Sequence, residues 1–149
     1  MAAAGRERPP IDWDSLTFSF TETDRMFVAN GSWEDGWSEG RMVDFQPLNL
    51  SPAACVLNYG QGLFEGMKAR RTPDGKITLF RPEMNARRAA EGARRLVMPE
   101  VSESMFIKAV KKVAEENKRW VPPHGKGELY LRPILFGSSA RLGVSPAEE

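Results

Sequence analysis

The feature that most constrains the fold lies just past position 102, where Phe106, Ile107, Val110, Val113 and Ala114 recur at three- and four-residue spacing opposite Lys108, Lys111, Lys112 and Glu115. That period is helical, and a helix with one apolar stripe has to lay it against a second layer. Ser102 is placed to cap the helix through its hydroxyl, and Glu103 suits the positive end of the helix dipole. A second helix is predicted over 82–96, where Pro82 presets the first helical φ and Ala86, Ala89, Ala93 and Leu96 repeat on one side. The layer they cover is predicted to be sheet. Segments 16–20, 25–29 and 40–45 read as extended, as do 64–71 and 76–80, joined by the turn Thr72-Pro73-Asp74-Gly75, and 128–136 follows the break Pro122-Pro123-His124-Gly125-Lys126-Gly127. The predicted class is α+β: an antiparallel sheet flanked by two helices.

Charge narrows the partners. With 21 basic and 20 acidic residues the net charge is +1, which gives no global attraction for nucleic acid. No apolar run approaches the roughly 20 residues of a membrane helix, so no membrane role is expected. Cys55 is the only cysteine and His124 the only histidine, so an internal disulfide, a histidine-based triad and a multi-histidine metal site are all excluded by count. Cys55 reads as a small apolar core residue and His124 as a solvated loop residue. Neither a GxxxxGK[ST] nor a GxGxxG motif is present. Residues 1–12 read as a mobile tail, without an apolar signal core and with too many acids for a transit peptide. The cytoplasm is the expected compartment, with an organelle as the alternative.

Chemistry therefore has to come through a bound group, and the arginines are the informative charges. On the 82–96 helix Arg88 falls at the border between the apolar and polar sides, whereas Arg87, Arg94 and Arg95 read as solvated. From such a border an arginine either snorkels to water or turns its planar fork to an anion in a cleft. Tyr130 and Arg132 are two apart in a predicted strand and so share a face. A ring with a hydroxyl tip beside a fixed cation suits a molecule with a greasy part and a carboxylate; a strand-end pair at a sheet surface is the other reading. Phe64 is either a pocket or a core residue. Leu142-Gly143-Val144 places two apolar side chains in a loop, where they could anchor the chain end.

The segment Leu57-Asn58-Tyr59-Gly60-Gln61-Gly62-Leu63-Phe64-Glu65-Gly66-Met67-Lys68-Ala69 and the later Gly127-Glu128-Leu129-Tyr130-Leu131-Arg132-Pro133 resemble signature segments of the branched-chain amino-acid aminotransferases, pyridoxal-phosphate (PLP) enzymes of fold type IV. The order of Phe80-Arg81-Pro82, Asn85, Arg88, Trp120-Val121-Pro122 and Leu142-Gly143-Val144 follows the same family. The resemblance implies a small aminotransferase domain over 13–144, residues 145–149 opening an interdomain linker, and a large PLP domain expected after Glu149. It implies that Arg88 binds the PLP phosphate, that Tyr59, Phe64, Tyr130 and Arg132 line the substrate pocket, and that Leu142 and Val144 reach into the pocket of the other subunit of a homodimer. The implied substrates are leucine, isoleucine or valine with 2-oxoglutarate. No catalytic residue is assigned, because the family's Schiff-base lysine matches none of Lys68, Lys76, Lys108, Lys111, Lys112, Lys118 and Lys126. The expectation is a chain inactive alone, and the alternative is a non-catalytic dimerisation or binding module derived from such an enzyme.

Overall fold

The computed structural model describes residues 10–17, 19–143 and 145–148. Strands β1 (Arg25–Val28) and β4 (Arg41–Asp44) form one antiparallel pair, and between them β2 (Gly31–Ser32) and β3 (Gly36–Trp37) make a tight hairpin. A short helix α1 (Cys55–Tyr59) precedes β5 (Gly62–Phe64), β6 (Met67–Arg71) and β7 (Ile77–Leu79). Helices α2 (Pro82–Arg95) and α3 (Glu103–Glu116) follow, and β8 (Leu129–Leu131) and β9 (Ile134–Phe136) end the succession. All strand pairings are antiparallel, with β5 on β9 and the order β7-β6-β8 in the three-stranded sheet. The architecture is α+β, as predicted.

Alternation and helical period meet in one core. Met67 and Ala69 of β6 point inward while Lys68 and Arg70 point out, the period-two pattern of a half-buried strand. Against them pack Ala86 and Ala89 of α2, Phe106, Val110 and Ala114 of α3, Leu131 of β8 and Val121. Ser102 caps α3 by accepting the Met105 N–H at 3.2 Å. The C-terminal end of α3 is held by a buried amide: Asn117 Oδ1 accepts the N–H groups of Asp24 and Arg25, each at 3.0 Å, and Nδ2 donates to the carbonyls of Arg25 and Val113, each at 2.9 Å. Beside it Arg119 grips the Asp24 carboxylate through Nε at 2.6 Å and Nη2 at 2.9 Å.

Several expectations are refined. Among the described residues of 16–20 no strand forms: Thr17 and Ser19 bond to each other through their hydroxyls, and Phe20 tilts against Phe45 at 5.8 Å between ring centroids. Alternation alone does not make a strand, and among the described residues no strand pairs with this segment. Phe18 and most of the predicted tail, residues 1–9, lie outside the described residues. Segment 64–71 divides into the end of β5 and β6, and 128–136 divides into β8 and β9. Helix α1, only five residues long, is too short to declare a period in the sequence. The segment predicted to open a linker is packed: Ala147 is buried, and its N–H donates to Gln61 Oε1 at 2.9 Å.

Candidate active site

The divided strands face each other. Phe64 pairs with Ile134 and Met67 with Leu131, so the register runs unbroken from β5–β9 into β6–β8 while the ladder is interrupted between them. Pro133 has no N–H to donate, which accounts for the interruption; its carbonyl still accepts the Glu65 N–H at 2.9 Å. At this break three consecutive residues each meet a different functional group. Phe64 carries the Arg132 guanidinium on its ring at 4.2 Å. Glu65 takes Arg88. Gly66 leaves room for Tyr130, whose hydroxyl would overlap any Cβ added there.

Tyr130 and Arg132 share a face, as their spacing requires. Arg132 Nε donates to Tyr130 Oη at 3.2 Å, and its guanidinium carbon stands 5.0 Å from the Tyr130 ring centroid. The cation is thus held between two rings, an arrangement that restricts its rotamers without using up its donors. Phe64 is 62% exposed, so it packs at the mouth of the break and not in the core.

Glu65 is the residue the motifs do not single out by themselves. It lies on the inward parity of β6, in step with Met67 and Ala69, and its side chain is only 9% exposed. A carboxylate at an inward position needs donors. Arg88 supplies two, Nε to Oε1 at 2.9 Å and Nη2 to Oε2 at 2.5 Å, and Asn85 Nδ2 adds a third to Oε2 at 2.8 Å while also donating to the Gly66 carbonyl at 3.1 Å. Asn85 and Arg88 are three apart on α2 and so stand on one face. Burial, the largest single influence, pushes the Glu65 carboxyl up, but the donors from Arg88 and Asn85, the Arg88 charge and the Gly66 backbone together hold it below the ordinary glutamate value. The hydrogen bonds to Glu65 and the negative charge of its carboxylate push Arg88 above the ordinary arginine value. Arg88 is 61% exposed, and among the described residues its Nη1 meets no partner. The fork is therefore clamped on one edge and open on the other, and the open edge has the donors that a phosphate takes.

Tyr59 ends α1, which closes with Gly60 in the left-handed region at φ 66°. Its hydroxyl accepts the Gly143 N–H at 2.8 Å, joining it to the loop of Leu142, which is 71% exposed. Tyr59 and Leu142 are thereby gathered at one place and Phe64, Arg88, Tyr130 and Arg132 at the ladder break; no hydrogen bond or ring contact among the described residues links the two groups. Val144 lies outside the described residues. The lysines are all on the surface or ion-paired: Lys68 with Glu128 at 2.6 Å, Lys76 with Asp74 at 2.8 Å and Lys126 with Asp14 at 2.6 Å, the other four exposed along α3 and just after it.

The chain is 51% identical over 139 residues to a methionine aminotransferase of Arabidopsis thaliana and 52% identical over 143 residues to the chloroplastic branched-chain amino acid aminotransferase 2 of Humulus lupulus. These alignments take in 93% and 96% of this chain but 39% and 35% of the relatives. The chain is homologous to the N-terminal part of the branched-chain aminotransferases. It spans little more than a third of their length. Solved branched-chain aminotransferases share the fold: that of Thermoproteus uzoniensis with norvaline matches with a TM-score of 0.63 at 22% identity, over 83% of this chain and 36% of that one. The enzyme of Thermobaculum terrenum in its PLP form matches at 0.59 and 17%, over 85% and 38%. No family model matches the chain. Relatives of this branched-chain aminotransferase homologue carry chloroplastic and mitochondrial names, and no helix among its described residues is long and apolar enough to cross a membrane.

Proposed function

We propose that this chain supplies the phosphate anchor and part of the substrate pocket of a PLP-dependent branched-chain amino-acid aminotransferase acting on leucine, isoleucine or valine with 2-oxoglutarate. The observation that carries the reading is the pair of pre-set arginines at one ladder break: Arg88, open on the edge away from Glu65, and Arg132, held between Phe64 and Tyr130. Arg88 anchors the cofactor phosphate through its free edge. Bound PLP supplies the electron sink that lets the substrate's α-proton leave. Arg132 and the Tyr130 hydroxyl hold and orient a carboxylate, and the rings of Phe64 and Tyr130 offer apolar surface to the substrate side chain and exclude water from it. Tyr59 fixes the 142–143 loop through its hydroxyl, and that loop offers Leu142 to the second subunit of a homodimer. The group that moves the α-proton belongs outside this sequence, since its lysines are solvated or paired. An organelle, named for several relatives, is the compartment this kinship favours over the cytoplasm.

A dimerisation module derived from such an enzyme is favoured by one feature, the outward set Phe64, Tyr130, Ile134 and Leu142, each about half exposed or more. The main reading is tested by grafting this sequence in place of the aligned N-terminal part of a full-length relative. Amino transfer from leucine to 2-oxoglutarate is expected, and its absence from a folded, PLP-loaded graft overturns the reading.

A further inference from the structure

We propose that Glu65 is a positioning residue that sets Arg88 for its anion, and that Asn85 in turn holds Glu65 in place. The inference rests on the assignment of Arg88 to a phosphate and deepens it. A guanidinium offers five N–H donors in a rigid plane. Glu65 engages one on Nε and one on Nη2, leaving two on Nη1 and one on Nη2, so the carboxylate fixes the plane and direction of the fork without saturating it. An arginine at the border of a helix otherwise has four rotatable bonds, and ordering them on binding costs affinity. Here they are ordered beforehand, by a carboxylate that is itself unable to reorient: it is buried, its main-chain N–H is tied to Pro133, and Asn85 is bonded both to it and to the neighbouring Gly66 carbonyl.

The same three-residue run links the two halves of the site. A shift of Glu65 moves Phe64 under Arg132 and Gly66 beneath Tyr130, so the phosphate and carboxylate subsites are referenced to one stretch of backbone.

The rival role for Glu65 is that of a stand-in anion, occupying Arg88 until phosphate displaces it. The two roles predict opposite signs. Removing a neighbouring negative charge strengthens anion binding if only Coulomb attraction counts, and weakens it if orientation counts more. The test is a titration of the full 149-residue chain, isotopically labelled, with inorganic phosphate, following the arginine side-chain N–H signals by NMR. In the unaltered chain the Arg88 Nε–H should be protected from exchange and stay so through the titration while the Nη signals move; loss of that protection as phosphate binds would show displacement and overturn the proposal. Glu65→Gln and Asn85→Ala should each weaken phosphate, the first by about tenfold, as expected for loss of a charge-assisted clamp. Binding to E65Q that is unchanged or tighter overturns it. Arg88→Ala separates the two levels: phosphate shifts that survive it refute the assignment of Arg88 itself, whereas shifts that vanish in R88A but persist at full strength in E65Q refute only the positioning role.

Discussion

Replacing Asn117 with alanine should be the most damaging single polar truncation in this fold. The amide is 1% exposed and makes four hydrogen bonds to main-chain groups, three in the distant Asp24–Arg25 segment and one to Val113 on its own helix. The Val113 carbonyl keeps a second donor, the Asn117 N–H at 3.0 Å, so truncation deprives three groups: the N–H of Asp24 and both the N–H and carbonyl of Arg25. At about 1 kcal/mol for each group left without its partner, toward the low end because water can enter the space vacated, the loss is about 3 kcal/mol. Against a domain stability of roughly 5–15 kcal/mol that is a large fraction. Urea unfolding followed by circular dichroism would read it as a midpoint lowered by more than about 1 M, given slopes of about 1–3 kcal/mol per molar. Arg95→Ala, which removes an exposed pair with Glu91 at 2.8 Å, is the control and should change stability by less than about 0.5 kcal/mol. A loss in N117A below about 1 kcal/mol would refute the view that this amide ties α3 to β1.

Two further outcomes follow from the site. Because Glu65 sits below its ordinary pKa in the folded chain, the unfolded chain binds more protons, so its contribution is fully present above the ordinary glutamate value and is lost as pH falls through the lower folded-state value. The stability gap between the unaltered chain and E65Q, measured by urea unfolding across acidic pH, should narrow in that window; a gap that holds constant to the lowest pH at which both stay folded would count against the paired carboxylate. Incubating the isolated chain with PLP, leucine and 2-oxoglutarate, then reducing with borohydride and mapping peptides, should give neither turnover nor a modified lysine, since every lysine is exposed and none is enclosed in a pocket that would activate its amine. Turnover together with a trapped lysine would place the reactive amine within these 149 residues.

How much of this was legible beforehand depends on how far apart the interacting residues lie in sequence. The capped α3 and the Pro82 start of α2 came through because caps and helical period are local. The face shared by Tyr130 and Arg132 came through for the same reason, strand alternation being fixed at two residues. The ladder break was less visible: Pro133 signals it on one strand, but it divides the partner strand as well, and the pairing of 62–69 with 129–136 is long-range. Glu65 carried a readable signal that went unused, a charge on the same parity as Met67 and Ala69, yet its partners sit 20 and 23 residues on and no period points to them. The Asn117 clamp spans 92 and 93 residues and left no trace in the sequence pattern. The strand expected over 16–20 shows the converse failure, a local pattern that finds no strand to pair with among the described residues.

Whether Arg88 anchors the cofactor phosphate of an aminotransferase site is decided by the PLP dissociation constant of the grafted full-length enzyme, measured with and without Arg88→Ala. The graft should bind PLP, and R88A should weaken binding by about thirtyfold or more, the worth of a charge-assisted contact to phosphate. An R88A graft that holds PLP as tightly as the unaltered one would contradict that role.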